Sequence, residues 1–110
     1  MIASIVRLAA AFVISGTLGA SAQNLMSLGQ HLSNECTSCH TRDGQDRGIP
    51  SITGWDIGEF VETMTYYQSG ARKNPVMTSV AESLDETQIR ALATYLNSLP
   101  KPPKATIAKK

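Results

Sequence analysis

The only two cysteines of the chain stand three positions apart, with a histidine directly behind the second: Cys36-Thr-Ser-Cys39-His40. Two thiols and an imidazole at this spacing suit four chemistries, and each demands a different neighbourhood. Structural zinc needs four nitrogen or sulfur ligands, and beyond these three only His31 is left. A dithiol redox pair needs a strand before the first cysteine, within a βαβ pattern. Here Leu25, Leu28, Leu32 and Cys36 recur every three or four residues, which is helical spacing. A disulfide closing so few residues restrains the unfolded chain little and leaves His40 unused. C-x-x-C-H is also the attachment signature of c-type haem, and that reading uses all three side chains. The thiols become thioethers to the two vinyl groups, and the adjoining imidazole is delivered to one face of the iron. We therefore expect one covalent haem c, held through Cys36 and Cys39, with His40 as an iron ligand.

A second axial position then needs a ligand or a reason to stay open. Met1 is poorly placed, and Met26 lies on the same helix as the cysteines, too close in sequence to reach the opposite face. Met64 belongs to Ile57, Phe60, Val61 and Met64, a helical stripe that reads as core. Met77 lies in ARKNPVMTSV, a Pro-containing segment between helical patterns that reads as a loop able to lay a thioether across a flat ring. Met77 is the expected sixth ligand. His31 is the rival, but it shares the first helix with the cysteines and reads as solvent-facing.

The elements that must position these groups are helical, and no strand pattern stands out. A first helix is expected over roughly 24–38, then the Gly-rich connection TRDGQDRGIPSITG. A second helix is expected from Asp56 to Ser69, stopped by Gly70 in the left-handed position. The last begins at SLDETQIRALATYLNSLP, where Asp85 caps, Gln88 completes a capping box, Leu84 staples against Ile89 and Pro100 ends the helix. Its apolar side, Ile89, Leu92, Ala93, Leu96 and Leu99, has the spacing to cross the first helix.

The ends of the chain carry different signals. Residues 1–22 run from Arg7 through an apolar stretch to Ala20-Ser21-Ala22, the order of a secretory signal peptide cleaved before Gln23. This implies export to the periplasm, with no stable membrane insertion after cleavage. Residues 23–100 form the expected domain and hold five basic against nine acidic side chains, whereas 101–110 hold four lysines and no acid. The body is acidic and its tail basic, extended and mobile. Nucleic acid is not among the expected partners.

The order C-x-x-C-H, IPSITG, Gly70-x-Arg72, Met77 and SLDETQIRALATYLNSL resembles a class I monohaem cytochrome c over nearly all of residues 23–100. The resemblance implies an all-α fold of three main helices around one haem, with His40 and Met77 as proximal and distal ligands. It implies that the carbonyl of Pro50 meets the other nitrogen of His40, and that Arg72 lies near a haem propionate. Thr41 replaces a common Gly after the motif, and Leu28 stands where many relatives have a helix-packing Gly, which bears on how closely the first and last helices approach. YYQSGARKNPVMTSVAESLDETQIRALATYL further resembles the haem subunits of flavocytochrome c sulfide dehydrogenase. That implies an electron-transfer protein rather than an enzyme in its own right, served by a flavoprotein that oxidises sulfide. The alternatives are a free carrier serving a terminal oxidase or reaction centre, and a five-coordinate haem that senses a gas or reduces peroxide.

So short a domain has few large apolar side chains, and the haem must supply much of its core. Replacing Cys36 and Cys39 together by Ser is expected to abolish holoprotein and most folded protein. Helical circular dichroism of the double variant is the check, and a spectrum matching the unaltered protein would refute the expectation.

Overall fold

The computed structural model describes residues 18–43, 46 and 48–102, with side chains described from residue 21. Most of the expected signal segment and most of the lysine tail lie outside the described residues. Four helices follow one another: α1 (Leu18–Cys36), α2 (Ile57–Ser69), α3 (Pro75–Glu82) and α4 (Glu86–Ser98), with no strand among the described residues. None of these helices is long and apolar enough to cross a membrane.

The local chemistry of each terminus explains its position. Asp56 caps α2 by accepting from Glu59 N–H at 3.0 Å, and Gly70 stops it at φ 79°, donating to the Tyr67 carbonyl. At α4 the capping box is complete: Gln88 N–H donates to Asp85 Oδ1 at 2.8 Å, and Asp85 N–H to Gln88 Oε1 at 2.9 Å. Leu99 turns extended (φ −79°, ψ 151°), as a residue before proline must, and Pro100 ends the helix.

Two expectations are corrected here. The Pro-containing segment around Met77 is not a loop but the short helix α3. Asn74 caps it by accepting from Val76 and Met77 N–H at 3.0 and 3.1 Å, and Pro75 occupies the first turn, where its missing N–H costs nothing. The helix α1 also starts earlier than expected, at Leu18, so that it runs through the expected cleavage point before Gln23.

The third correction concerns how α1 meets α4. The close approach is made by Gly29, not blocked by Leu28. A Cβ built on Gly29 would stand 2.0 Å from the Ala91 carbonyl oxygen and 2.8 Å from Tyr95 Cβ. One turn later Ser33 is fully buried and returns its hydroxyl to the Gln30 carbonyl at 2.7 Å, so it presents a small face without an unpaired polar atom. The α4 residues met here, Ala91 and Tyr95, lie beside the expected stripe and are buried with it, so α4 is covered on more than one side.

The rest of the core is Ile52, Phe60, Met64, Tyr67 and Ala81 with Ile89, Leu92, Ala93 and Leu96. Ile57, expected in the α2 stripe, is exposed instead, and Tyr67 extends that stripe. The segment before α2 is tied to α4 by two bonds. Gly54, at φ 66°, donates its N–H to the Leu96 carbonyl at 2.8 Å, and the Asn97 amide donates to the Trp55 carbonyl at 2.8 Å.

Gly29→Ala sets two effects against each other. The better helix former gains about 1 kcal/mol, whereas overpacking costs about 1–3 kcal/mol and more when the obstacle is backbone. The clash wins. We expect the holoprotein to lose roughly 2 kcal/mol, read as a lower urea midpoint; a midpoint at or above that of the unaltered protein would refute this.

Candidate haem cleft

The cleft begins where α1 ends. Beyond Cys36 the backbone keeps turning: Thr37 N–H donates to the Ser33 carbonyl at 3.0 Å, and Cys39 and His40 N–H both donate to the Cys36 carbonyl, at 3.2 and 2.8 Å. This tight turn carries Cys36, Cys39 and His40 to one cleft wall. Both thiols are free, Cys36 half-buried and Cys39 exposed. Burial, aided by the neighbouring Glu35 charge and opposed by a backbone hydrogen bond, pushes the Cys36 thiol above its ordinary pKa.

His40 Nδ1 lies 2.6 Å from the Pro50 carbonyl oxygen. A carbonyl only accepts, so Nδ1 carries a proton, and in the neutral ring the lone pair is on Nε2. The ring is thereby fixed in orientation and tautomer by a residue ten positions away.

The other walls come from α2, α3 and α4. Phe60, Met64 and Tyr67 are spaced by one helical turn each on α2, Met77 and Val80 by one turn on α3, and Leu92 comes from α4. Trp55, packed edge-to-face on Phe60 with centroids 5.9 Å apart, joins them. The Arg72 guanidinium lies 5.3 Å from the Tyr67 ring centre at the same cleft, and Arg72 N–H donates to the Tyr66 carbonyl at 3.1 Å.

The structure thus brings Cys36, Cys39, His40, Pro50, Arg72 and Met77 around one cleft. It also brings in Met64, which is 4% exposed and belongs to the core as well as to the cleft wall. His31 is elsewhere: it is exposed and lines a separate polar groove with Ser27, Gln30, Asn34 and Arg42. The sequence reading missed Trp55 and Tyr67 as cleft residues. Tyr67 was signalled by its place three residues after Met64; Trp55 had no periodic neighbour to mark it.

The donors present fit a haem. Among the described residues no three His, Cys, Asp or Glu side chains gather into a cage for a bare ion. What the cleft offers is one imidazole nitrogen, two thioethers, two thiols and mostly apolar walls, suited to a flat apolar ring that brings its own metal. Val76, 67% exposed at the rim, and Val80 leave apolar surface that such a ring would cover.

Comparison with known proteins bears on the family. The family model for Cytochrome c matches residues 26–100. The chain is 35% identical to the cytochrome subunit of sulfide dehydrogenase of Chlorobaculum tepidum over 77 residues, 68% of this chain and 69% of that protein. It is also 35% identical over 65 residues to cytochrome c-552 of Acidithiobacillus ferridurans, covering 58% of this chain and 28% of that protein. It is 32% identical over 77 residues to the thiosulfate dehydrogenase electron acceptor of Stutzerimonas stutzeri, covering 67% of this chain and 36% of that protein. The chain therefore spans only about a third of the length of the latter two relatives.

Proposed function

The chain belongs to the cytochrome c family, with one covalent haem c, and on that premise we propose that it is an exported one-electron carrier with His/Met ligation. The observation that carries the reading is the His40 imidazole, with Nδ1 held by the Pro50 carbonyl, in one cleft with two free thiols and Met77.

Haem c, when bound, supplies a one-electron ferric/ferrous couple whose potential Met/His ligation raises. Cys36 and Cys39 hold it as thioethers. His40 gives its Nε2 lone pair, and Pro50 keeps that ring from turning. Met77 would give a thioether from α3 to the same cleft as His40. Phe60, Tyr67 and Leu92 exclude water, and Arg72, steadied on Tyr67, offers a positive charge to a propionate. Nothing in this set does acid–base or nucleophilic work, so the chain's task is electron transfer.

The export signal in residues 1–22 supports a periplasmic site of action. The partner we propose is a dehydrogenase of a reduced sulfur compound, in the first instance a flavoprotein acting on sulfide. The names of two relatives, a cytochrome subunit of sulfide dehydrogenase and a thiosulfate dehydrogenase electron acceptor, support this class. The acidic body favours brief, electrostatically steered encounters with a basic surface.

Two measurements test the reading. Met77→Ala should let the ferrous protein bind carbon monoxide, whereas Met64→Ala should leave coordination alone and lose about 2–5 kcal/mol of stability through truncation of a buried side chain. Gas binding by the Met64 variant and not by the Met77 variant would reverse the assignment. Mixing a reduced sulfide-oxidising flavoprotein with the ferric cytochrome should give haem reduction that slows as salt rises. Rates no greater than those of an unrelated acidic cytochrome would remove that partner and leave a free carrier.

A further inference from the structure

The helix that bears Met77 is held less firmly than the rest of the fold. At eight residues, α3 is too short to be stable alone, and among the helices it packs only against α2. Its N-terminal approach is fastened to α2 by the Arg72 N–H to the Tyr66 carbonyl. Its far end buries Ala81 in the core, with Leu84 packed against it, and is tied to α2 by the hydrogen bonds of one side chain. Gln68, an exposed residue of α2, spends both amide hydrogens inward: Nε2 donates to the Ala81 carbonyl at 2.8 Å and to the Leu84 carbonyl at 3.0 Å. Ala81 is in the last turn of α3, and Leu84 is in the link to α4. These bonds span 13 and 16 residues, so they close the segment from Ser69 to Leu84 into a loop that contains Met77.

We propose that Gln68 is the positioning residue of the sixth-ligand segment: its amide clamps the C-terminal end of α3 to α2 and so holds Met77 at the cleft. The proposal rests on the reading of Met77 as an iron ligand. Three properties of Gln68 make the clamp specific. It needs two donors on one nitrogen, which an amide has and a carboxylate lacks. It needs the reach of a side chain from the α2 surface across to the next helix. It also satisfies carbonyls at a helix C-terminus, which an ammonium can do as well.

The test uses the complete ferric holoprotein with Gln68→Glu, Gln68→Ala, Gln68→Lys and Met77→Ala. Two readouts are compared: amide hydrogen exchange along the chain, and the affinity for added imidazole. A net hydrogen bond is worth about 1 kcal/mol, so Gln68→Glu and Gln68→Ala should speed exchange of residues 78–82 and raise imidazole affinity by roughly five- to tenfold. Exchange in α1 and α4 should stay as it is, which a merely structural loss would not allow. Gln68→Lys, which keeps donors, should stay within about threefold of the unaltered protein on both readouts. Unchanged exchange over residues 78–82 in the Glu and Ala variants, or equal acceleration in every helix, overturns the clamp. If Met77→Ala fails to raise imidazole affinity, the ligand assignment falls, while the exchange pattern still decides whether Gln68 clamps α3.

Discussion

The position of His40 in the cleft can be traced to the crossing of α1 and α4 at Gly29. With no side chain there, the α1 backbone comes against the Ala91 carbonyl, and the next turn adds only buried Ser33. That contact sets how α1 lies against α4, and α1 ends at Cys36. On the other side it sets α4, whose Leu92 lines the cleft and whose Leu96 and Asn97 receive and give the bonds to Gly54 and Trp55. The segment leading to Trp55 carries Pro50, and Pro50 holds His40, four residues beyond Cys36. The path from α1 through α4 and the Pro50 segment to His40 therefore returns to α1. An imidazole in a closed circuit of this kind cannot shift without moving a helix, and this rigidity suits the ligand role proposed for His40.

Much of this was legible in the sequence because it is written in local chemistry. The C-x-x-C-H spacing, the Asp56 and Asp85 caps, the Gly70 stop and the break at Pro100 each involve residues within a few positions of one another, and short-range bonds form almost regardless of context. The cleft membership of Met64 was hidden for a different reason. A helical stripe shows that a side chain faces inward, but the interior here is partly core and partly cofactor site, and periodicity does not distinguish them.

The misread features were those settled by competition or by tertiary contact. In Asn74-Pro75-Val76-Met77 the proline reads as a breaker, yet the same residue is favourable in a first helical turn once Asn74 supplies the cap. The segment held both signals, and the cap won. The packing glycine was sought one position early, at Leu28, because a glycine's neighbours across a helix crossing leave no trace in its own segment. Only the placement of Ala91 and Tyr95 reveals that Gly29 is the contact. Gln68 is the extreme case: it is a polar residue on an exposed face whose two partners lie 13 and 16 positions away.

The two proposed axial donors thus stand on supports of unequal stiffness, and the apolar surface of α3 explains how the weaker one is completed. The short helix α3 buries Ala81 in the core, but Val76 and Val80 at its face remain exposed. Burying a valine fully contributes about 1.5–3 kcal/mol; Val76 is 67% and Val80 36% exposed, together about one valine, so covering both adds roughly that much, a sizeable fraction of the stability of a small domain. A flat apolar ring in the cleft offers that cover. A ring in the cleft would add burial to a helix that its own cap already forms and that already places the Met77 thioether at the cleft. His40 owes little to this burial, because its circuit closes through protein atoms alone. The fold therefore divides its labour along the chain, with Cys36, Cys39 and His40 on the part closed through α1, α4 and Pro50, and Met77 on the short helix that Gln68 ties to α2.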